Sequence, residues 1–318
     1  MANLQNVKGI NITWLATTDL TNLNSGEGGS NYVDVKKYKF QDREYPYVSG
    51  QAMRYYLKEG IRRLRAANDC CVPDDKGEAC GNIKDCALCD LFGFMATIKG
   101  EGAKVRVSPV KVSPAIGLLP FDANSTIDFL TRKKHKAVGE KASGDIVNVE
   151  LGINLYKGGI SIDVAKIGFE EEYDDTNKKM KFNDMRKGTD DTTKEKDKRD
   201  RIAQVLESLS FLSDYSKQAR LLTDFTPDFI IISFQSNYSH RLQKALELKS
   251  DEGINLNTDR LQEILADISG YSNSTYVGMI TGILDNEADV KKILTEKSIT
   301  IKTPNEAIKE AIESIRGN

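Results

Sequence analysis

All five cysteines of this 318-residue chain fall in one short stretch: Cys70, Cys71, Cys80, Cys86 and Cys89. Cys86 and Cys89 form a Cys-x-x-Cys pair, a spacing that lets two sulfurs reach one ion. Cys80 and either Cys71 or Cys70 would bring the set to four thiolates, the tetrahedral number for Zn²⁺. Cys71, Cys80, Cys86 and Cys89 are the candidate ligands, with Cys70 as the alternative to Cys71. The stretch VPDDKGEACGNIKD between them is too polar to bury a core of its own, so a metal staple has a physical purpose there. Four thiolates leave no open coordination position, which points to structural rather than catalytic zinc. A redox pair and unligated thiols are the competing assignments. A reducing cytoplasm disfavours disulfides. The only two histidines, His135 and His240, exclude a His-rich metal site and weigh against a His-based catalytic triad.

The second chemistry lies in the basic residues. The formal net charge is −2, yet three segments are strongly positive. Residues 51–65 hold Arg54, Lys58, Arg62, Arg63 and Arg65 against Glu59 alone. Residues 99–111 hold Lys99, Lys104, Arg106 and Lys111 against Glu101. Residues 131–141 hold Arg132, Lys133, Lys134, Lys136 and Lys141 against Glu140. Any one of them alone is an ordinary solvated face. Three within the first 141 residues point to a shared groove for a polyanion.

These residues need elements to position them. The spacing predicts a helix over 49–66 with Ser49 as N-cap. Met53, Leu57, Ile61 and Leu64 fall on one face. Gln51, Arg54, Lys58, Arg62 and Arg65 fall on the other, with Tyr55 at its edge. Donors at successive turns can follow a phosphate chain. A first strand is expected over 8–18, followed by a Gly/Asn/Ser loop over 18–31 that lacks the Walker pattern. Strand-like stretches at 105–116 and 146–167 are interrupted by a basic insertion, which would leave the sheet and return as an arm. Strands at 146–156 and 158–167 would be joined by a hairpin turn at Lys157-Gly158-Gly159. Residues 170–200 are 20 charged out of 31 and read as a solvated or disordered linker. Beyond them the pattern predicts helix 201–222, strand 227–234, helix 258–268, strand 274–283, helix 286–294, strand 298–302 and helix 304–316. The fold class is α+β, a ferredoxin-like sheet carrying insertions. No apolar run approaches the ~20 residues of a membrane span. The N-terminus has no apolar signal core, so a cytoplasmic protein with no membrane partner is expected.

Three segments together resemble a known superfamily. YPYVSGQAMRYYLKEGIRR resembles the phosphate-binding first helix of the repeat-associated RNA-binding superfamily of CRISPR systems. CDLFGF, with the Arg106-Val107-Ser108 segment after it, resembles a second hallmark. FLTRKKHKAVG resembles the basic stretch of the DevR-type branch, the backbone subunits of type I Cascade effectors. The resemblance covers roughly residues 10–170. It implies a hand-shaped fold: a modified RRM palm with finger and thumb insertions. The palm would be 1–67, 105–117 and 146–318, the finger 68–104 and the thumb-like insertion 118–145. Several copies would form a filament along one guide RNA (crRNA), with the thumb of each copy kinking it. The guide would pair with a target DNA strand beside other Cascade subunits, and no catalysis is implied.

Carried over by position, Ser49, Gln51, Arg54 and Lys58 would hold guide phosphates. Tyr55 and Arg62 lie on the same helix, and Arg106 lies in the second motif. Arg132, Lys133, Lys134 and Lys136, with His135 among them, would act from the thumb. The cysteine cluster departs from the family pattern. Two alternatives come from other classes. One is a type III-like, metal-dependent RNA endonuclease using Asp19 in TTDLTN. The other is a stand-alone, zinc-stapled RNA-binding protein.

Overall fold

The computed structural model describes residues 4–26, 31–65, 70–73, 79–98, 102–133, 144–213, 221–250 and 253–317. In chain order the strands begin with β1 (Gly9–Thr21), β2 (Tyr32–Val33), β3 (Lys37–Phe40) and β4 (Arg43–Val48). Helices α1 (Gly50–Leu64) and α2 (Ala87–Phe92) follow, then β5 (Phe94–Ile98), β6 (Gly102–Arg106), β7 (Val110–Val112) and β8 (Ala115–Gly117). Next come β9 (Ser125–Lys133), β10 (Gly144–Asp163), β11 (Phe169–Asp174), β12 (Lys179–Asp184) and α3 (Asp191–Ser208). The chain closes with β13 (Phe229–Gln235), α4 (Thr258–Ile268), β14 (Ser272–Met279), α5 (Glu287–Glu296), β15 (Ile301–Lys302) and α6 (Pro304–Arg316).

One long strand organises the sheet. β10 runs antiparallel to β1 from Gly9 opposite Asp163 to Thr18 opposite Asn154. It continues past the sheet to pair with β9. The order is β15-β14-β13-β1-β10-β8-β4-β3, with β2, β7 and β9 also pairing along β10. The expected turn at Lys157-Gly158-Gly159 does not exist, because the chain passes straight through those residues as strand. The glycines answer a different need. A Cβ on Gly158 would overlap the ring of Trp14, which is fully buried on β1, and one on Gly159 would overlap the Gln243 side chain. Strand glycines of this kind mark close approach rather than a turn.

Alternation sends β1 and β13 into two cores. Ile10, Ile12 and Trp14 meet Met53, Leu57 and Ile61 of α1, Ile202 and Leu206 of α3, and Ile308 and Ile312 of α6. Leu15, Phe229 and Ile231 meet Leu261 and Leu265 of α4 and Val290 and Leu294 of α5. β13 is buried at every position, as its unbroken FIIISF run requires of a central strand. The architecture is therefore α+β, one central sheet with helices on both faces.

Residues 170–200 are ordered, contrary to expectation. β11 and β12 pair as a hairpin, and α3 begins at Asp191 rather than 201. The charges are matched in space: Lys181 with Asp174 at 2.9 Å, and Arg186 with Asp184 at 2.9 Å and with Glu195 at 3.0 Å. A reciprocal capping box between Asp190 and Thr193 starts the helix. α3 ends at Ser208, not 222, and residues 214–220 lie outside the described residues. Helices 258–268 and 304–316 coincide with α4 and α6, the latter opened by a Thr303–Glu306 capping box with Pro304 behind it. Strand 274–283 appears as β14, helix 286–294 as α5, and strand 298–302 shrinks to β15.

Gly158→Ala should destabilise the protein by about 1–3 kcal/mol, the usual cost of overpacking a filled core. Urea unfolding of the two proteins measures it, and equal midpoints would contradict the packing role of this glycine.

Candidate nucleic-acid interface and cysteine cluster

α1 follows β4 without a loop. Ser49 stands between them as N-cap, its Oγ accepting the Ala52 N–H at 3.2 Å. Its own N–H donates to Asn24 Oδ1 at 2.9 Å. Met53, Leu57 and Ile61 are buried, as the 3.6 period requires, while Leu64 is half-buried. Gln51 is exposed, and Tyr55 is 55% exposed with its ring edge-on to Tyr56. The cations of the opposite face do not simply project into water. Arg54 donates to the Phe92 carbonyl and lies 5.7 Å from the Phe92 ring centre. Lys58 Nζ lies 5.7 Å from the same ring. Arg62 pairs with Glu59 and donates to the Cys71 carbonyl at 3.1 Å.

Burial lowers the pKa of both Arg54 and Lys58, and for Lys58 the neighbouring Arg54 and Arg62 add to the effect. Among the described residues neither Arg54 nor Lys58 has a carboxylate at ion-pair distance. These are crowded, partly desolvated cations, and an anion placed beside them would relieve both costs.

Four sulfurs converge under this helix. The Sγ atoms of Cys71, Cys80, Cys86 and Cys89 all lie within 4.8 Å of one another. Cys71 and Cys89 are 3.6 Å apart, Cys80 and Cys89 3.4 Å, and Cys86 and Cys71 3.6 Å. A tetrahedron with Zn–S bonds of ~2.3 Å has edges of ~3.8 Å. The donor set therefore fits zinc, and the fourth sulfur within reach is that of Cys71 rather than Cys70. None of the five cysteines forms a disulfide. Cys86 stands at the N-cap position of α2, and its contacts with Cys89 and Cys71 hold its thiol below the usual range. Cys89, the donor of that pair, is pushed the other way. A sulfur already biased to thiolate is a prepared ligand. Bound there, the metal would staple the 70–73 segment and Cys80 to α2.

One residue beyond the cluster, Asp90 is wholly buried between two guanidinium groups. Arg106 pairs with it, and Arg201 Nη1 reaches it at 2.8 Å. The Gly168 N–H donates to the same carboxylate at 3.0 Å. Arg106 also donates to the backbone carbonyls of Asp90 at 2.9 Å, Phe169 at 2.7 Å and Lys166 at 3.1 Å. Arg106, expected on the nucleic-acid surface, is thus 8% exposed with its donors occupied inside the fold. We assign it to the core rather than to the interface. Composition hides this: a basic residue in a basic segment looks like surface. The available signal was Asp90 itself, a lone acid in the otherwise apolar LCDLFGF.

The third basic segment lies on an arm. β9 and β10 pair from Ser125 opposite Gly152 to Lys133 opposite Gly144, with Arg132 opposite Asp145. Arg132 and Lys133 therefore end β9 at the far end of the hairpin. Lys134, His135 and Lys136 lie outside the described residues. Val147, Val149 and Leu151 line one face of the arm with Leu130, while Ile127, Phe129 and Ile146 are exposed on the other. Asp19 is exposed near the end of β1. Among the described residues it belongs to no cluster of acids, histidines or cysteines able to hold a metal.

A family model described as "CRISPR-associated negative auto-regulator DevR/Csa2" matches residues 12–241. Among solved structures, the chain is similar to one from a "CRISPR RNA-guided surveillance complex" at 14% identity, covering 96% of this chain and 99% of that one, with a TM-score of 0.54. A chain from a "CRISPR RNA-guided surveillance complex, pre-nicking" is similar at 12% identity, with 96% and 99% covered and a TM-score of 0.57. At such identities the likeness concerns the fold alone. No curated protein matches.

Two outcomes test the site. Purified protein should carry about one equivalent of zinc by elemental analysis, and Cys89→Ser should lose it. Asp90→Ala strands two buried guanidinium charges and should cost about 3–5 kcal/mol in denaturant unfolding.

Proposed function

Because the chain belongs to the CRISPR-associated DevR/Csa2 family, we propose that it binds a CRISPR guide RNA without cleaving it, as a repeated backbone subunit of a Cascade-type surveillance complex. The observation that carries this is the α1 face, where Arg54 and Lys58 stand half-buried and crowded, with no carboxylate at ion-pair distance among the described residues. A guide phosphate would add an anion there, beside the Cys71 and Cys89 sulfurs that already act on Lys58. Contacts of this kind hold the backbone and ignore the bases, so sequence would be read by pairing of the guide with a target DNA strand.

In this reading the central sheet with α1 is the palm. The cysteine-bearing segment at 68–104 is the finger, and the β9–β10 hairpin is the thumb, bringing Arg132 and Lys133 to the guide. Ser49 acts as the cap that aims α1, and Gln51 and Tyr55 are the exposed residues free to touch RNA. Each copy would hold only a few nucleotides, and copies side by side, with the other subunits of the complex, would supply avidity. Zinc serves the same end. Arg62 is tied to the Cys71 carbonyl and Arg54 to the Phe92 carbonyl, so a metal that orders the cysteines also orders the cations. Among the described residues Asp19 belongs to no group of side chains able to hold a metal ion, and no observation favours the nuclease alternative. No helix among the described residues is long and apolar enough to cross a membrane. A cytoplasmic site of action accords with the RNA it would bind.

Arg54→Ala with Lys58→Ala should weaken binding of single-stranded RNA at low salt by about 10-fold or more. It should also flatten the dependence of log K on log salt by about 1.4, the value for two phosphate contacts on a single strand. Unchanged affinity and slope would remove this face from the interface. Chelating the zinc should reduce RNA affinity in the same assay.

A further inference from the structure

The four clustered cysteines differ in their access to solvent. Cys86 and Cys89 are buried, Cys71 is half-buried and Cys80 is exposed. The exposed member also has a close neighbour. Cys80 Sγ lies 3.4 Å from Cys89 Sγ, nearer than the 3.6 Å that separates Cys71 from Cys89 or from Cys86. A small solute therefore meets Cys80 first, and Cys80 has Cys89 at its side.

These residues rest on different supports. The turn that leads into Cys86 is tied to α3, where Arg201 donates to the Ile83 carbonyl at 2.8 Å and to the Lys84 carbonyl at 2.7 Å. The side chain of Ile83 is buried, and α2, which carries Cys89, is fixed by the Asp90 network. The 70–73 segment contains no helix or strand. It packs partly on the core, offers the Cys71 sulfur to the cluster, and offers the Cys71 carbonyl to Arg62 of α1 at 3.1 Å. A change at the sulfurs thus leaves Cys86 and Cys89 held by the fold. It acts on the 70–73 segment and, through Arg62, on the cation row.

The chemistry that fits this arrangement is oxidation by hydrogen peroxide. A thiol that ligates a metal is deprotonated, and the thiolate is the form that attacks peroxide. The Cys80 sulfur attacks one peroxide oxygen, the O–O bond breaks and hydroxide leaves, which gives the sulfenic acid of Cys80. The Cys89 thiolate then attacks the Cys80 sulfur, forming the S–S bond and expelling a second hydroxide. Two electrons pass from the two thiolates to the peroxide, and two protons from water-borne acid convert the hydroxides to water. Cys71 and Cys86 are left as two ligands where a structural zinc site needs four.

We propose that Cys80 is a site of peroxide modification, and that its disulfide with Cys89 releases the structural metal and loosens the α1 cation row, so that the grip on RNA depends on redox state. This rests on the zinc and RNA-binding readings above and assigns them a common regulation. Once the metal is gone, the Cys71 carbonyl is no longer a fixed acceptor for Arg62. The side chain must then be ordered anew when RNA binds, and that ordering lowers affinity. Reduction of the disulfide and return of zinc restore the starting arrangement.

Reduced, zinc-loaded full-length protein is treated with hydrogen peroxide, and three quantities are read: zinc released to a chromogenic chelator, the disulfide found in non-reduced peptide maps, and affinity for a single-stranded RNA oligonucleotide. Zinc should leave in step with a Cys80–Cys89 disulfide. Affinity should fall by about fivefold, the cost of immobilising one long side chain on binding. Dithiothreitol with added zinc should restore both. Cys70→Ser should respond like the unmutated protein, because Cys70 lies outside the sulfur set. Cys80→Ser removes a ligand together with the thiol, so the peptide map of the unmutated chain carries the test. Retained zinc, a disulfide between other cysteines, or an affinity that does not fall after zinc release overturns this inference and leaves the α1 interface standing. So does a reduced protein that binds RNA but takes up no zinc. A reduced, zinc-loaded protein that ignores RNA overturns the RNA-binding reading and this inference with it.

Discussion

The structure turns on a carboxylate that has no access to water. Asp90 is fully buried, and two guanidinium groups and the Gly168 amide converge on it. Burial pushes its carboxyl up and lowers Arg106, so removal from water outweighs the attraction within the network. Such a network adds little stability over an apolar core, yet it is costly to break. What it secures is register. Asp90 is on α2, Arg106 ends β6, Arg201 is on α3, and Gly168 lies between β10 and β11. Four segments remote in sequence meet at this one buried charge, and the network ties their relative positions.

That arrangement aligns the two chemical features of the molecule. Cys86 and Cys89 flank the first turn of α2, and Asp90 follows at once. The helix that carries two of the four clustered sulfurs is the helix pinned by the ion network. Phe92, at the other end of α2, presents its ring and its carbonyl to Arg54 and its ring to Lys58. The cation row of α1 is therefore positioned by the cysteine segment as well as by its own helix. The sulfur cluster and the cation row therefore form one unit, joined through Phe92 and the Cys71 carbonyl.

Much of this was open to sequence reasoning where the determinants are local. Ser49, the apolar face at Met53, Leu57 and Ile61, the capped α6 and the buried run of β13 all follow from periods and caps set by neighbouring residues. Misreadings arose where a residue serves something distant. Gly158 and Gly159 imitate a hairpin turn but make room for Trp14 and Gln243. The charged stretch 170–200 imitates a linker, yet its acids and bases pair across a hairpin and into α3. Arg106 imitates a surface cation but answers a buried acid.

By itself the sequence determined the α+β class, the amphipathic α1 with its cap, the clustering of the cysteines and the unbroken burial of the central strand. Each depends on residues within a few positions of one another, so the linear order carries the information. Only the tertiary structure decided that Cys71 rather than Cys70 completes the sulfur set, that Cys80 is its exposed member, and that Arg106 is interior while Arg54 and Lys58 are not. These are questions of which side chains meet across chain separations that composition and period do not encode. Burial, which sets the cost of every charge, is known only once the chain has closed on itself.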